Sequence, residues 1–476
     1  MFNLIIFVAA FYFLLLSVIG YGAIFQKLTF SRLNESDDIT LYLGFYGILL
    51  ISFISFISSF FLAHDFKHNL LVHFFGISFF IFVKFKEKKK YIKHIFFLSL
   101  ILFLAVLISK THDDFPYYHL PFTKYLTEHK VIFGMGNIHH GYNLLSSTFF
   151  LNSTFYLPFI NFFSFHFSAI YFLIFFNYFL LKEILLKKNY DLAFYLYLIS
   201  FVYFNLSFNR LAEFGTDKSG QLLIVVLIIK LLHLINFDFD KKKISNILLL
   251  IPLFALCISL KTYFLPYILF GLFLCFYNFN ILQTFKNILV SRSFLFSIFF
   301  LTLYFSHHFV STGCLISPIS FTCFESFDWA REKDQIFKLS LWLEQWSKAG
   351  AGPGYRVDNP NEYIERLNWF NNWIDKYFFT KFLDQFVLLL FSFTVIFFIF
   401  KSKNFTKITN KSIFKRILPF YVLILIIFFI WFLKHPTLRY GGYSIYFLTL
   451  AIPFSYIFLM FENKANFKKK SILLIV

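Results

Sequence analysis

The chain has 476 residues, of which 59% are hydrophobic and only 14% are charged, and its net charge is +19. Soluble domains carry about 25% charged residues, so this composition excludes a soluble globular protein and predicts a polytopic membrane protein. The positive charge does not indicate nucleic-acid binding, because the lysines fall in short clusters between apolar runs.

Four apolar runs precede the first long polar stretch. The first, residues 4–25, has no basic residue ahead of it and is followed by Lys27 and Arg32. A secretory signal peptide has the opposite polarity, so we predict a true span with the N-terminus outside. The next runs are residues 41–62, 70–83 and 95–109.

Later apolar runs bring the predicted spans to about 13, within a range of 11 to 14. They are residues 163–181, 192–208, 222–237, 244–260, 263–282, 294–310, 382–400, 417–432 and 444–461. Lysine clusters then fall on one face of the membrane, at residues 84–93, 241–243, 401–416 and 464–470. By the positive-inside rule that face is cytoplasmic and includes the C-terminus. We therefore expect an all-α transmembrane helical bundle, residues 1–476 as one domain, in a bacterial cytoplasmic membrane.

Two large loops are predicted on the opposite, extracytoplasmic face, at residues 110–162 and 311–380. Acids and bases are nearly balanced in the second loop, unlike in the lysine clusters. It also contains Cys314 and Cys323, which form a disulfide in an oxidising compartment or remain two thiols.

The first loop opens with Asp113 and Asp114, directly after a predicted span. A partly buried carboxylate there is suited to deprotonate an acceptor hydroxyl, whereas the plainer interpretation is a helix cap or a solvated turn. The apolar spacing of residues 121–133 predicts an amphipathic helix on the membrane surface, ended by Gly134 and Gly136.

Aromatic and histidine side chains cluster around this helix. We predict that they contact an acceptor or a sugar: Tyr117, Tyr118, His119, His139, His140 and Tyr142. No Cys or carboxylate lies at ligand spacing from the two adjacent histidines, so they are weak evidence for a metal. Mg²⁺ or Mn²⁺ dependence stays open.

A second polar segment, residues 210–218, separates two predicted spans on the same face. Arg210 and Lys218 are predicted to hold a phosphate, with Glu213 or Asp217 as a second acid or a metal ligand. The alternative is charge neutralisation within a tight turn.

Two further basic features lie on this face. Lys261 stands nearly alone between apolar runs, which predicts a phosphate partner, an acid such as Asp217, or snorkelling to the interface. In the turn KHPTLRYGGY, residues 434–443, His435 and Arg439 are suited to bind an anion, and the two glycines allow close backbone approach. Without a ligand, the turn is simply a basic interfacial segment.

Together these features resemble the GT-C class of membrane glycosyltransferases, which includes protein O-mannosyltransferases and aminoarabinose transferases. The turn is similar to the HKExRF-type motif of lipid-linked mannosyltransferases in that class, with His435, Arg439 and Tyr440 in matching positions. The chain departs from the pattern where Pro436 and Thr437 replace the Lys and Glu. It also has an Asp-Asp pair in place of Asp-Glu or DxD, and four predicted spans ahead of it.

The resemblance implies inverting transfer of a sugar from a polyprenyl-phosphate donor to a glycan, lipid or protein acceptor on the extracytoplasmic face. Asp113 or Asp114 is then the base. Arg439 would stabilise the departing phosphate together with Arg210, Lys218 or Lys261. Aromatic residues of the second loop would stack on sugar rings, or else serve as interfacial anchors or as the core of the loop: Trp329, Trp342, Trp346 and Tyr355.

Two other classes fit part of the pattern. An O-antigen-type polysaccharide polymerase or ligase also has many spans and a long external loop, but basic residues should dominate that loop. A lipid-linked glycan transporter or flippase should carry charges in mid-span or paired broken helices, and Lys230 is the main charge within the predicted spans.

Overall fold

The structure is a computed structural model and describes most of the chain. The described residues are 4–30, 39–85, 87–107, 111–160, 162–186, 191–208, 210–235, 241–277, 281–352, 357–400 and 411–460. Tyr355, the predicted lysine cluster at 464–470 and the part 401–410 of the cluster predicted at 401–416 lie outside them. Across these ranges the fold is helical without a β-strand, apart from one isolated bridge between Cys314 and Cys323.

Nineteen α-helices occupy the described residues. In chain order they are α1 Leu4–Thr29, α2 Leu43–Ser59, α3 Phe66–Phe82, α4 Lys88–Leu102, α5 Leu120–Glu128, α6 Ser147–Thr154, α7 Phe167–Leu186, α8 Leu192–Ser207, α9 Asp217–Ile235, α10 Lys241–Leu260, α11 Ile268–Tyr277, α12 Ile281–Leu289, α13 Arg292–Thr312, α14 Lys333–Lys348, α15 Pro360–Ile364, α16 Phe370–Trp373, α17 Leu383–Phe400, α18 Lys411–Lys434 and α19 Tyr443–Met460. Short 3₁₀ and π-helical segments join several of them, and one π-helical segment makes α16 and α17 continuous.

Eight helices in the described part are long and apolar enough to cross a membrane. They are Leu4–Thr29, Ile39–Ser59, Phe162–Leu185, Asp217–Ile235, Arg292–Thr312, Phe370–Ile399, Lys415–Lys434 and Leu438–Met460. Four shorter apolar helices accompany them, at Phe66–Phe82, Leu192–Ser207, Ile244–Leu260 and Thr262–Phe273. The predicted helical membrane bundle is thus confirmed, while the count of about 13 spans stays a prediction.

Helix α9 lies at the centre of the bundle, where 94% of its apolar window is buried, whereas the long helix Phe370–Ile399 is buried over 22% and lies at the periphery. Small residues let the first two helices approach closely. A Cβ on Gly22 would lie 1.9 Å from the Leu43 carbonyl oxygen, and one on Gly47 the same distance from that of Val18. Tight packing of this kind replaces the hydrophobic driving force that helices lack in lipid.

One buried ion pair joins α7 to α9. Lys230 Nζ lies 2.9 Å from Glu183 Oε1, and the two side chains are 5% and 8% exposed. Lys230, the main charge within the predicted spans, therefore has an opposite charge beside it, as a charge in hydrocarbon requires.

This pair makes a stability prediction. Lys230→Met is expected to lower the free energy of unfolding by about 3–5 kcal/mol, because it leaves the Glu183 carboxylate buried without its ammonium. The double variant Glu183→Leu/Lys230→Met should recover most of the loss, since it removes both charges. Titration with a denaturing detergent measures both variants. A double variant as unstable as the single one would contradict this account.

The amphipathic helix predicted at residues 121–133 is present as the shorter helix α5, and its apolar face packs on α6. Helix α5 ends at Glu128, His129 is extended, and the Val131 N–H donates to the Ser59 carbonyl at the end of α2. The apolar side chain of Phe122 packs on α6, against Phe149 and Phe150, and not on lipid. The predicted end at residue 133 was wrong, whereas the location on the membrane surface stays a prediction, because the same apolar periodicity suits a protein surface and a membrane surface.

The second large loop folds around helix α14. Cys314 and Cys323 are joined by a disulfide. The continuous helix that leads into α17 begins at Phe370, ten residues inside the range 311–380 predicted as loop. Trp373 and Tyr377 lie within this first part of the helix.

Candidate functional site

Four charged side chains from distant segments meet at one end of the bundle. Asp217 is the first residue of α9, Lys261 directly follows the last residue of α10, and Arg439 lies just before α19. Asp114 comes from the first predicted loop. These four residues are called the ion cluster below.

The ion cluster is held by three short contacts. Arg439 Nη2 lies 2.6 Å from Asp114 Oδ2, and Arg439 Nε lies 3.1 Å from Asp217 Oδ2. The other Asp217 oxygen lies 3.0 Å from Lys261 Nζ, which is one of the three alternatives that the sequence left open for Lys261. Two acids balance two bases, so the cluster can be partly buried without leaving an unpaired charge.

One side of the ion cluster is accessible to solvent. The side chains of Asp114 and Arg439 are 25% and 23% exposed, whereas that of Asp217 is 6% exposed and closes the inner side. A guanidinium has five N–H donors and an ammonium has three. Within the described residues, Arg439 donates two side-chain hydrogen bonds, to Asp217 and Asp114. Further donors therefore remain for an anion.

The Asp114 carboxyl is tuned by its neighbours. Burial raises its pKa, but the charge of Arg439 and the hydrogen bond from its guanidinium outweigh burial, so the pKa lies below its ordinary value. His112 accepts a 3.0 Å hydrogen bond from the Asp114 N–H, and burial and Arg439 lower its pKa. At neutral pH, Asp114 is ionised and His112 is uncharged.

The turn that carries Arg439 is fixed through its backbone. The Gln221 amide donates to the Leu438 carbonyl (3.0 Å) and accepts from the Ser444 N–H (3.0 Å). The Tyr263 hydroxyl donates to the Arg439 carbonyl at 2.8 Å. Gly441 adopts a positive φ of 85°, which favours glycine, and a Cβ there would lie 3.1 Å from the Tyr263 ring. The guanidinium is thus positioned from two neighbouring segments.

Aromatic side chains surround the accessible side. The Arg439 guanidinium lies 5.5 Å from the ring centroid of Trp346, whose ring is 6.0 Å from that of Tyr440. The Tyr118 hydroxyl lies 3.5 Å from Asp114 Oδ2. Five further rings contact one another in a continuous row, which we call the aromatic wall: Tyr117, His139, His140, Tyr142 and Trp342.

A small polar cavity lies behind the first loop. Its volume is about 20 Å³, enough for one water molecule or one hydroxyl group. Four lining atoms are buried without a hydrogen-bond partner in the described part of the chain: His119 Nε2, Asn152 Oδ1, Ser168 Oγ and Thr216 Oγ1. Unpaired buried polar atoms are costly, so this set indicates an occupant that supplies hydrogen bonds.

Several predicted site residues lie away from the ion cluster. Arg210 is 58% exposed and pairs with Glu213 at 3.4 Å. Lys218 is fully buried and donates to the Phe208 carbonyl at 2.8 Å. His435 is half-buried near Ser347, and desolvation lowers its pKa to about 4, so it contributes no positive charge at pH 7.

The structure also places Asp113 and Trp329, for which the sequence left alternatives open. Asp113 is exposed and forms no ion pair with the described residues, so it is separate from Asp114 despite being adjacent in sequence. Trp329 packs on Phe133, Phe309 and Phe327 in the loop interior, not beside Arg439.

Sequence reasoning missed residues that position the site, among them His112, Gln221 and Tyr263. It also missed Tyr377, whose hydroxyl accepts a 2.7 Å hydrogen bond from the Leu438 N–H. Gln221 had a usable signal, because it is a polar side chain at the start of an apolar run, one helical turn after Asp217. The tyrosines had none, since aromatic residues are common throughout this chain. Among the residues placed by the structure, no three His, Cys, Asp or Glu side chains are grouped to hold a metal ion.

Buried histidines give the protein a predicted pH dependence. Burial, as the main cause, lowers the pKa of His64 and His119 to about 3 and that of His435 to about 4, against an ordinary 6.5. Below pH 6.5 the unfolded chain therefore binds protons that the folded chain does not. The stability that these histidines contribute is complete above pH 6.5 and should fall down to about pH 4 for His435 and about pH 3 for His64 and His119. At pH 5 the loss is at most about 2 kcal/mol per histidine.

The melting temperature in detergent at pH 7 and pH 5 measures this dependence. His119→Asn should show a smaller drop between the two pH values than the wild type. An equal drop in a variant with all three positions changed to Asn would show that other groups cause it.

The fold and the site define a multi-pass helical membrane protein with a charged site at one end of its bundle. The chain belongs to the family described as domain of unknown function DUF8201, whose model matches residues 4–446. No curated protein and no solved structure matches the chain.

Proposed function

We propose that the protein is a GT-C-type membrane glycosyltransferase. It transfers a sugar, with inversion, from a polyprenyl-phosphate donor to an acceptor hydroxyl on the extracytoplasmic face of a bacterial cytoplasmic membrane. The observation that carries the proposal is the ion cluster. A carboxylate and a guanidinium with unused N–H donors lie on its accessible side, where a lipid-linked substrate can meet an acceptor from water, and the ammonium of Lys261, 17% exposed, is held by the same Asp217 as the guanidinium.

The proposed step is a single displacement. The acceptor oxygen attacks the anomeric carbon while the bond from that carbon to the donor phosphate oxygen breaks. The hydroxyl proton passes to Asp114, and polyprenyl phosphate leaves with the bonding electron pair. Arg439 and Lys261 donate hydrogen bonds to that phosphate as its negative charge grows.

Donor binding would prepare the base. The 2.6 Å contact between Arg439 and Asp114 keeps the Asp114 pKa low while the site holds no substrate. A donor phosphate that accepts bonds from Arg439 weakens this contact and raises the affinity of Asp114 for a proton. Asp217 is a positioning residue in this scheme, because it holds both Arg439 and Lys261 from the buried side.

The surroundings of the ion cluster also suit a sugar. Trp346 stacks on Trp342, and the exposed Tyr117 is linked to Trp342 through the ring of His140. Aromatic faces pack on the apolar face of a sugar ring, while the polar cavity around His119 offers partners to one hydroxyl. The acceptor remains a glycan, a lipid or a protein.

The test is transfer of radiolabelled sugar from a panel of polyprenyl-phosphate donors by the purified protein in liposomes. Arg439→Lys should lower transfer at least about 10-fold, because an ammonium cannot reproduce the two-pronged hydrogen bonding. The matched control Arg210→Lys, at an exposed arginine of the same end, should retain wild-type activity. A wild type that neither binds nor turns over any donor in the panel would overturn the proposal.

A further inference from the structure

A long groove runs between helices α4, α7 and α8, away from the ion cluster. Its volume is about 740 Å³, and most of its lining is aliphatic or aromatic. Lys90, His94 and Lys182 line one end, while Leu104 and Ala105 line the other. The basic end lies at the start of α4, on the face predicted to be cytoplasmic.

The length of the groove corresponds to one leaflet of a bilayer. Twelve residues separate Lys90 from Leu102 in α4, so the helix rises by about 18 Å between them. One leaflet contributes roughly 15 Å of hydrocarbon. An acyl chain starting at Lys90 would therefore lie along the groove without leaving its leaflet.

The end at Lys90 is positively charged. The charges that act on His94 are those of Lys182, Lys90 and Lys93, opposed by Glu87. Glu87 lies 3.5 Å from Lys90 and 4.0 Å from Lys182, and it is half exposed. The pair of Lys90 with Glu87 is exposed on both sides and therefore weak, so Lys90 can still bind a phosphate. The Lys182 side chain is 12% exposed and adds a second positive charge at this end.

The apolar part of the groove contains one polar contact, and it is satisfied internally. Asn177 and Asn205 exchange side-chain hydrogen bonds of 2.9 and 2.6 Å across α7 and α8. Their amides therefore do not require a polar ligand, and a hydrocarbon chain can pass them.

We propose that this groove binds an anionic glycerophospholipid of the bilayer, with its phosphate at Lys90 and Lys182 and an acyl chain along Phe97 and Ile101. Basic pockets between transmembrane helices on the cytoplasmic side recognise such headgroups. The leaflet-sized length favours a glycerophospholipid over a much longer polyprenyl chain. This site is independent of the proposed sugar transfer.

Native mass spectrometry of the detergent-purified protein with added phosphatidylglycerol or phosphatidylcholine tests the site. The wild type should bind phosphatidylglycerol more tightly. Lys90→Gln/Lys182→Gln should weaken that binding about 30-fold, from roughly 1 kcal/mol per lysine. The control Lys67→Gln/Lys130→Gln, at two exposed lysines of the opposite end, should leave it unchanged.

A second variant tests the apolar part. Ala105→Trp is expected to fill the far end of the groove and weaken phosphatidylglycerol binding while the lysines remain in place. Equal binding of both phospholipids, or no effect of the Lys90/Lys182 variant, would show an ordinary lipid shell and overturn the proposal. Polyprenyl phosphate also binds at the proposed catalytic site, so it is compared in the wild type and in the Lys90/Lys182 variant. A larger loss of polyprenyl phosphate binding than of phosphatidylglycerol binding in that variant would overturn the assigned occupant.

Discussion

Asp114→Asn is expected to lower sugar transfer about 10²–10⁴-fold, the range for loss of a general base, whereas Asp113→Asn should lower it only a few-fold. The two residues are adjacent and chemically identical, so each is a matched control for the other. Asp114 contacts Arg439 at 2.6 Å, while Asp113 is exposed and outside the ion cluster. Asparagine keeps the shape of the side chain and removes its ability to accept a proton.

The Asp114 prediction separates chemistry from folding. Asp114→Asn leaves Arg439 paired with Asp217, so the melting temperature in detergent should stay near that of the wild type. Initial rates at saturating donor measure the effect on transfer. An Asp113→Asn variant that loses as much transfer as Asp114→Asn, with folding intact, would assign the base to the wrong residue of the pair.

Arg439→Gln is expected to affect both transfer and stability. Transfer should fall at least about 100-fold, the usual consequence of removing one donor aimed at a developing negative charge. The free energy of unfolding should fall by about 3 kcal/mol, the low end of the range for a broken buried pair, since Arg439 keeps 23% exposure. The loss arises because Asp114 then lacks a cation and Asp217 retains Lys261 alone.

A double variant distinguishes the two effects of Arg439→Gln. Arg439→Gln/Asp114→Asn removes one charge of each sign and should regain part of the lost stability, but no transfer. Arg210→Gln is the control, because its exposed pair with Glu213 is worth little. Recovery of transfer in the double variant would contradict the roles assigned to both residues.

The sequence was sufficient to predict the class of fold, and the reason is physical. A bilayer requires about 20 apolar residues for each crossing, and chains satisfy this by composition alone. The number of spans is harder to predict, because helices such as Phe66–Phe82 and Leu192–Ser207 are apolar but short. Their neighbours in the bundle, rather than length, determine whether they cross.

The site was only partly predictable. Asp114, Asp217, Lys261 and Arg439 were all candidates, because charge next to hydrocarbon is costly unless it is paired or used. Their selection from a larger set, which included Arg210, Lys218 and His435, depends on which helix ends meet. Contacts between helix ends are set by tertiary packing, and the residue spacing within a single segment does not predict them.

The central claim is that the ion cluster acts as a catalytic unit, and the most direct measurement is single-turnover release of polyprenyl phosphate from a labelled donor. The rates of the wild type, Asp114→Asn, Arg439→Lys and the double variant Asp114→Asn/Arg439→Lys should be compared. Residues that act as one unit are non-additive, so the double variant should be no slower than the slower single variant. Losses that multiply in the double variant would contradict a single cooperating site.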